Sequence, residues 1–103
     1  MKRLLFLLLL LFPTNSFAND KAWDLLKEGN KIVFIRHSLA PGGGDPSNFD
    51  LTKCSTQRNL NQVGINQSKK IGELFKKNKI PIDKVLSSKW CRCKDTAFHA
   101  FRE

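Results

Sequence analysis

The run Lys31-Ile32-Val33-Phe34-Ile35 constrains this chain more than any other stretch. It is continuously apolar after its lysine and rich in β-branched residues, with no polar alternation. That is the pattern of a strand buried on both faces, as in the parallel sheet of an α/β protein. Before it, Asn19 or Asp20 can cap a short helix carrying Trp23, Leu25 and Leu26, with Gly29 suited to its C-terminal end. After it, the chain reads as irregular from Ser38 to about Arg58, with turns marked by Pro41, Gly42, Gly43, Gly44, Asp45 and Pro46. Loops of that length are usually functional or disordered.

Regular structure is expected to resume at Asn61, an N-cap, with Ile65, Ser68, Ile71, Leu74 and Phe75 at helical spacing and Asn78 and Pro81 closing the helix. Lys84-Val85-Leu86-Ser87 reads as a second short strand. Ser88 can cap a third helix that turns Trp90, Ala97, Phe98 and Phe101 toward a core. Strand, helix, strand, helix in this order predicts a βαβα unit with parallel strands, an α/β fold with helices on both faces of the sheet. A parallel sheet needs more than two strands. The expectation is therefore an incomplete domain, the N-terminal part of a larger fold.

The first eighteen residues read as a leader rather than as part of that fold. Lys2 and Arg3 precede the apolar run Leu4 to Phe12, Pro13 breaks it, and Ser16-Phe17-Ala18 offers small residues where a signal peptidase cuts. A spanning helix needs about 20 apolar residues, so a cleaved bacterial secretory signal fits better than an anchor. The mature chain would start near Asn19, in the periplasm or outside, with no stable membrane anchor. Removing eighteen of the 103 residues leaves 85, one small domain, and lowers the net charge from +9 to +7. A basic balance suits an anionic partner. Lys69, Lys70, Lys76, Lys77 and Lys79 fit a solvated helix face, and no aromatic residues alternate with them as a nucleic-acid stacking surface requires. Nucleic acid is not an expected partner.

The three cysteines, Cys54, Cys91 and Cys93, predict one disulfide in an oxidising compartment, from Cys54 to Cys91 or Cys93, with one thiol left over. Cys91-x-Cys93 is not the usual metal spacing and His99 is a weak fourth ligand, so no metal is expected.

In open α/β sheets a ligand sits beyond the carboxyl ends of the strands. Arg36-His37 lies just past the first predicted strand and Ser87-Ser88 just past the second, where the third helix also begins. A helix start favours anions, and Arg92 falls in the first turn or so. Two arginines and a histidine are thus expected at one anion site. Imidazole can accept a phosphoryl group, and the planar guanidinium fork matches two phosphate oxygens at once. A P-loop reading of Gly42-Gly43-Gly44 fails, because no Gly-Lys-Ser/Thr follows. That segment is expected to be a flexible loop near the pocket that shapes substrate choice. Asp45 and Asp50 read as turn residues.

Three segments resemble a known family. Val33-Phe34-Ile35-Arg36-His37-Ser38 looks like the arginine-histidine-glycine signature of the histidine phosphatase superfamily, the phosphoglycerate-mutase-like enzymes, with Ser38 in place of glycine. Asn59-Leu60-Asn61-Gln62-Val63-Gly64 with Gln67-Ser68 is similar to its next helix opening. Val85 to Arg92, followed by Asp95-Thr96-Ala97, is similar to its serine-serine, arginine, threonine-alanine element. The resemblance spans Ile32 to about Ala97. It implies a three-layer α/β sheet and cofactor-free hydrolysis of phosphorylated small molecules, with His37 as nucleophile and Arg36 and Arg92 holding the phosphate. Arg58 is a further phosphate contact or a surface residue where the second helix begins. The family's second catalytic histidine and its proton donor have no counterpart here. His99 reads as a helix-surface residue, so the chain is expected to be truncated. The competing expectations are a non-catalytic phosphate-binding or interaction protein, and a small secreted domain stapled by its disulfide.

Overall fold

The computed structural model of the chain describes residues 17–102. The expected leader therefore lies outside the described residues, apart from Phe17 and Ala18. These two residues open the first helix, α1, Phe17–Lys27. Gly29 follows it at φ 73°, a left-handed position that glycine adopts without steric cost, and its N–H closes on the Leu26 carbonyl at 3.1 Å.

The second helix, α2, spans Gln62–Lys77. It starts where it does because the Asn61 side chain accepts the Gly64 N–H at 2.9 Å, satisfying a donor that has no partner inside the helix. It stops at Asn78, whose backbone and side-chain N–H groups both turn back to the Leu74 carbonyl. The third helix, α3, spans Cys91–Phe101, and its packing against α2 forms the centre of the molecule.

Close approach between these helices is set by small residues. Gly64, Ser68 and Gly72 recur one turn apart on a single face of α2, and all three are buried. A methyl group on Gly72 would lie 2.8 Å from the Ala100 carbonyl carbon and closer still to its oxygen. On Gly64 it would meet the Leu39 backbone. Phe75 of α2 meets Trp23 of α1 edge-on, with ring centroids 5.7 Å apart, and Phe101 of α3 at 5.1 Å. These pairs tie all three helices together. Phe98, expected in the core, is about half exposed at 48 %.

The expected α/β sheet does not form. Among the described residues there is no strand; the nearest feature is an isolated bridge between Asp50 and Lys53. The described fold is a small helical one, not the three-layer α/β architecture. The physical reason lies in what surrounds the two predicted strands. An apolar run says that a segment can be buried, but a ladder needs a partner backbone alongside. Residues 31–37 and 82–88 exchange no backbone hydrogen bonds with each other or with any other described residue. Ile32, Phe34 and Leu86 remain 84 %, 93 % and 80 % exposed. The two segments instead line an open cleft of about 700 Å³, floored by Ile71 and Phe75 of α2 and Ala97 of α3. No helix among the described residues is long and apolar enough to cross a membrane.

Candidate functional site

The long loop after His37 is ordered by its own polar side chains and by a covalent staple. Cys54 and Cys91 form a disulfide with their Cα atoms 5.7 Å apart, fastening a 3-10 turn, Cys54–Thr56, to the first residue of α3. Cys93 keeps a free thiol. Two positions along a helix is about 200° of rotation, so Cys91 and Cys93 cannot both face the same partner. Thr56 Oγ1 accepts the Asp50 N–H at 2.7 Å, while the Asp50 carboxylate accepts the Thr52 N–H and hydroxyl at 2.8 and 2.6 Å. The Thr52 hydroxyl and amide hold the Asp50 carboxyl below its usual range.

Gln57 joins this loop to α3. Its side chain donates to the Asp50 carbonyl at 3.0 Å and accepts the Cys91 N–H at 2.9 Å. From the sequence Ser88 is expected to cap α3. It does not: the N-cap position is Trp90, which makes no side-chain cap, and the buried Gln57 amide serves the first helical N–H instead. Both Ser87 and Ser88 are exposed.

His37 is half-buried at the edge of the cleft. Its Nδ1 lies 2.8 Å from the Ser38 carbonyl oxygen. A carbonyl only accepts, so Nδ1 carries the hydrogen and a neutral ring presents its lone pair at Nε2. The next residue anchors the ring's backbone. The Ser38 N–H donates to Thr96 Oγ1 at 3.0 Å, and Thr96 Oγ1 donates to the Arg92 carbonyl at 2.7 Å. Ser38 Oγ and Ser68 Oγ are 2.7 Å apart, and Ser68 Oγ lies 3.0 Å from the Gly64 carbonyl. Ser38, Ser68 and Thr96 are all buried, so each hydroxyl needs these partners. Small hydroxyl residues thus fix His37 against α2 and α3 together.

Arg58 and Arg92 converge on one carboxylate. Asp45 Oδ1 accepts the Arg58 backbone N–H at 2.8 Å and Arg92 Nη1 at 3.0 Å. Arg92 Nη1 also donates to the Arg58 carbonyl at 3.3 Å, and Arg58 Nη1 donates to the Ala40 carbonyl. The Arg92 guanidinium stacks on the Trp90 ring, 4.4 Å from its centroid, and Trp90 packs on Phe49. The backbone N–H of Arg58 is the main cause holding the Asp45 carboxyl below its usual range, against an opposing effect of desolvation, with Arg92 adding to the lowering. Asp45 is therefore an ionised partner of both arginines, not only the turn residue expected from its Gly and Pro neighbours.

Of the residues expected at the site, Arg58 and Arg92 share a partner, whereas His37 is linked through Ser38 and Thr96 only to the backbone carbonyl of Arg92, and neither guanidinium lines the cleft that His37 edges. Arg36 does not join them: it is exposed and makes no hydrogen bond or ion pair among the described residues. Gln57 and Asp45 are site residues that the sequence does not announce. The only signal for them was their place in a polar loop flanked by two arginines, which carries no partner information. No group of three metal-ligating side chains occurs among the described residues. Compared with known proteins, the chain matches no family model, no curated protein and no solved structure.

Proposed function

We propose that this chain carries the phosphoryl-accepting site of a histidine-phosphatase-like hydrolase, exported from a bacterial cell, acting on phosphorylated small molecules. The observation that supports this best is the tautomer imposed on His37 by the Ser38 carbonyl, with the ring at the edge of an open cleft. It presents Nε2 as a nucleophile. In this reading Nε2 attacks phosphorus, an N–P bond forms, and the P–O bond to the leaving group breaks. Water then takes the phosphoryl group and restores the histidine.

Arg92 and Arg58 supply the positive charge for the transferring oxygens, so the reading needs no metal or organic cofactor. Exposed Arg36 has the freedom to reach a substrate that enters from solvent. The resemblance of the segments around His37, Gly64 and Arg92 to the histidine phosphatase superfamily agrees with these roles.

The test uses the purified chain and an aryl phosphate whose phenolate leaves without a proton. The expected outcome is phenol release with a phosphoryl group on His37, detected by mass spectrometry at neutral pH, and loss of both in His37→Ala. Release undiminished in His37→Ala would sink the assignment. Phosphate binding with neither release nor labelling would instead make the chain a non-catalytic anion-binding protein.

A further inference from the structure

The Arg58 and Arg92 guanidinium groups are held in the same way. Each spends Nη1 on the protein: Arg92 on Asp45 and the Arg58 carbonyl, Arg58 on the Ala40 carbonyl. In each, Nε is buried without a hydrogen-bond partner, and Nη2 makes no bond among the described residues. The Arg92 side chain is only 10 % exposed, and Asp45 beside it 14 %. Buried donors left unmade are costly and rare, and two of the same kind beside one carboxylate mark a place for an acceptor. A guanidinium engaged through Nη1 keeps its Nε–Nη2 edge, whose two parallel N–H bonds match two oxygens of a tetrahedral anion.

We propose that Asp45 is the positioning residue of this site, holding Arg92 and the Arg58 backbone so that the arginines' Nε–Nη2 edges receive a phosphate group. The assignment deepens the phosphatase reading and rests on it for the identity of the anion. The carboxylate does two things at once. It holds Nη1 of Arg92, which is not part of the Nε–Nη2 edge, and it ties the glycine-rich loop to the Arg58 peptide through the 2.8 Å bond. Gly42 lets the loop take this path: it sits at φ 110°, and a Cβ there would lie 3.4 Å from Arg58 Cδ. The contrary idea is that Asp45 is a stand-in anion that competes with phosphate for Arg92. The two predict opposite signs.

The experiment is calorimetric titration of the full chain with inorganic phosphate, for the wild type, Asp45→Asn and Asp45→Ala, each checked for folding by circular dichroism. Positioning predicts weaker binding in Asp45→Ala by roughly tenfold or more, the worth of one charge-assisted hydrogen bond. Asp45→Asn keeps the oxygen acceptor and should recover part of that loss, which a merely lost charge would not allow. Arg92→Lys removes the bidentate edge and should weaken binding at least as much as Asp45→Ala. Tighter phosphate binding in folded Asp45→Asn or Asp45→Ala, unchanged binding, or no binding by the wild type would each overturn the proposal. The His37 labelling experiment is independent. Phosphate binding that depends on Asp45 without phosphohistidine would fail the phosphatase reading alone, and labelling with unchanged phosphate affinity in the Asp45 variants would fail this one alone.

Discussion

Gly72→Ala tests the packing on which the site stands. Alanine is the better helix former by about 1 kcal/mol in a helix interior, so on propensity alone the substitution should stabilise α2. The structure opposes it. The new Cβ would lie 2.8 Å from the Ala100 carbonyl carbon, nearer still to the oxygen, and both belong to the backbone of α3 rather than to a movable side-chain end. Relief requires α2 and α3 to move apart, in a molecule whose centre is that single helix pair. Overpacking of this kind costs about 1–3 kcal/mol, and a rigid backbone neighbour puts it near the upper value. The net expectation is a destabilisation of about 2 kcal/mol, which for a domain of this size lowers the melting temperature by roughly 8–16 °C. Thermal and urea unfolding followed by far-ultraviolet circular dichroism reads this directly. Gly43→Ala is the internal control, because nothing lies within 4 Å of a Cβ there, and it should be neutral within about 0.5 kcal/mol. A Gly72→Ala protein more stable than the wild type by about 1 kcal/mol would refute the packing argument, since only the propensity gain would then remain.

Two further outcomes are expected. Replacing both Cys54 and Cys91 by alanine opens a loop with a sequence separation of 37 and should cost about 3–4 kcal/mol by the loop-entropy relation. Cys93→Ala should change little, and equal urea midpoints for the double variant and the wild type would show that the staple is dispensable. The pH dependence follows from Asp45, whose carboxyl is lowered from its usual 3.8, chiefly by the Arg58 N–H. A depressed carboxyl contributes stability that is fully present above its unfolded value and is lost as pH falls through the folded one. The stability gap between wild type and Asp45→Asn should therefore be constant from pH 7 to 5 and shrink below about pH 4. A gap that closes between pH 7 and 5 would mean that another group titrates there.

What the sequence determined by itself was the set of features carried by neighbours along the chain. Asn61 at the head of α2, Asn78 at its end and Gly29 after α1 are each recognisable from residues within four positions, because helix ends are satisfied locally. The cysteine count indicated one disulfide and one free thiol, with Cys91 and Cys93 both left open as partners of Cys54.

Tertiary structure decided what depends on residues far apart. Cys91 rather than Cys93 faces Cys54 because of how α3 is rotated. Gln57, 34 residues away, supplies the acceptor for the Cys91 N–H that Ser88 does not. Asp45 joins Arg92 across 47 residues, a pairing no local pattern announces. The sheet was the largest departure. Ile32 to Ile35 and Val85 to Leu86 have the composition of strands, but a strand is completed by a partner backbone. Helical hydrogen bonds close within one segment, whereas a ladder exists only where another segment lies beside it.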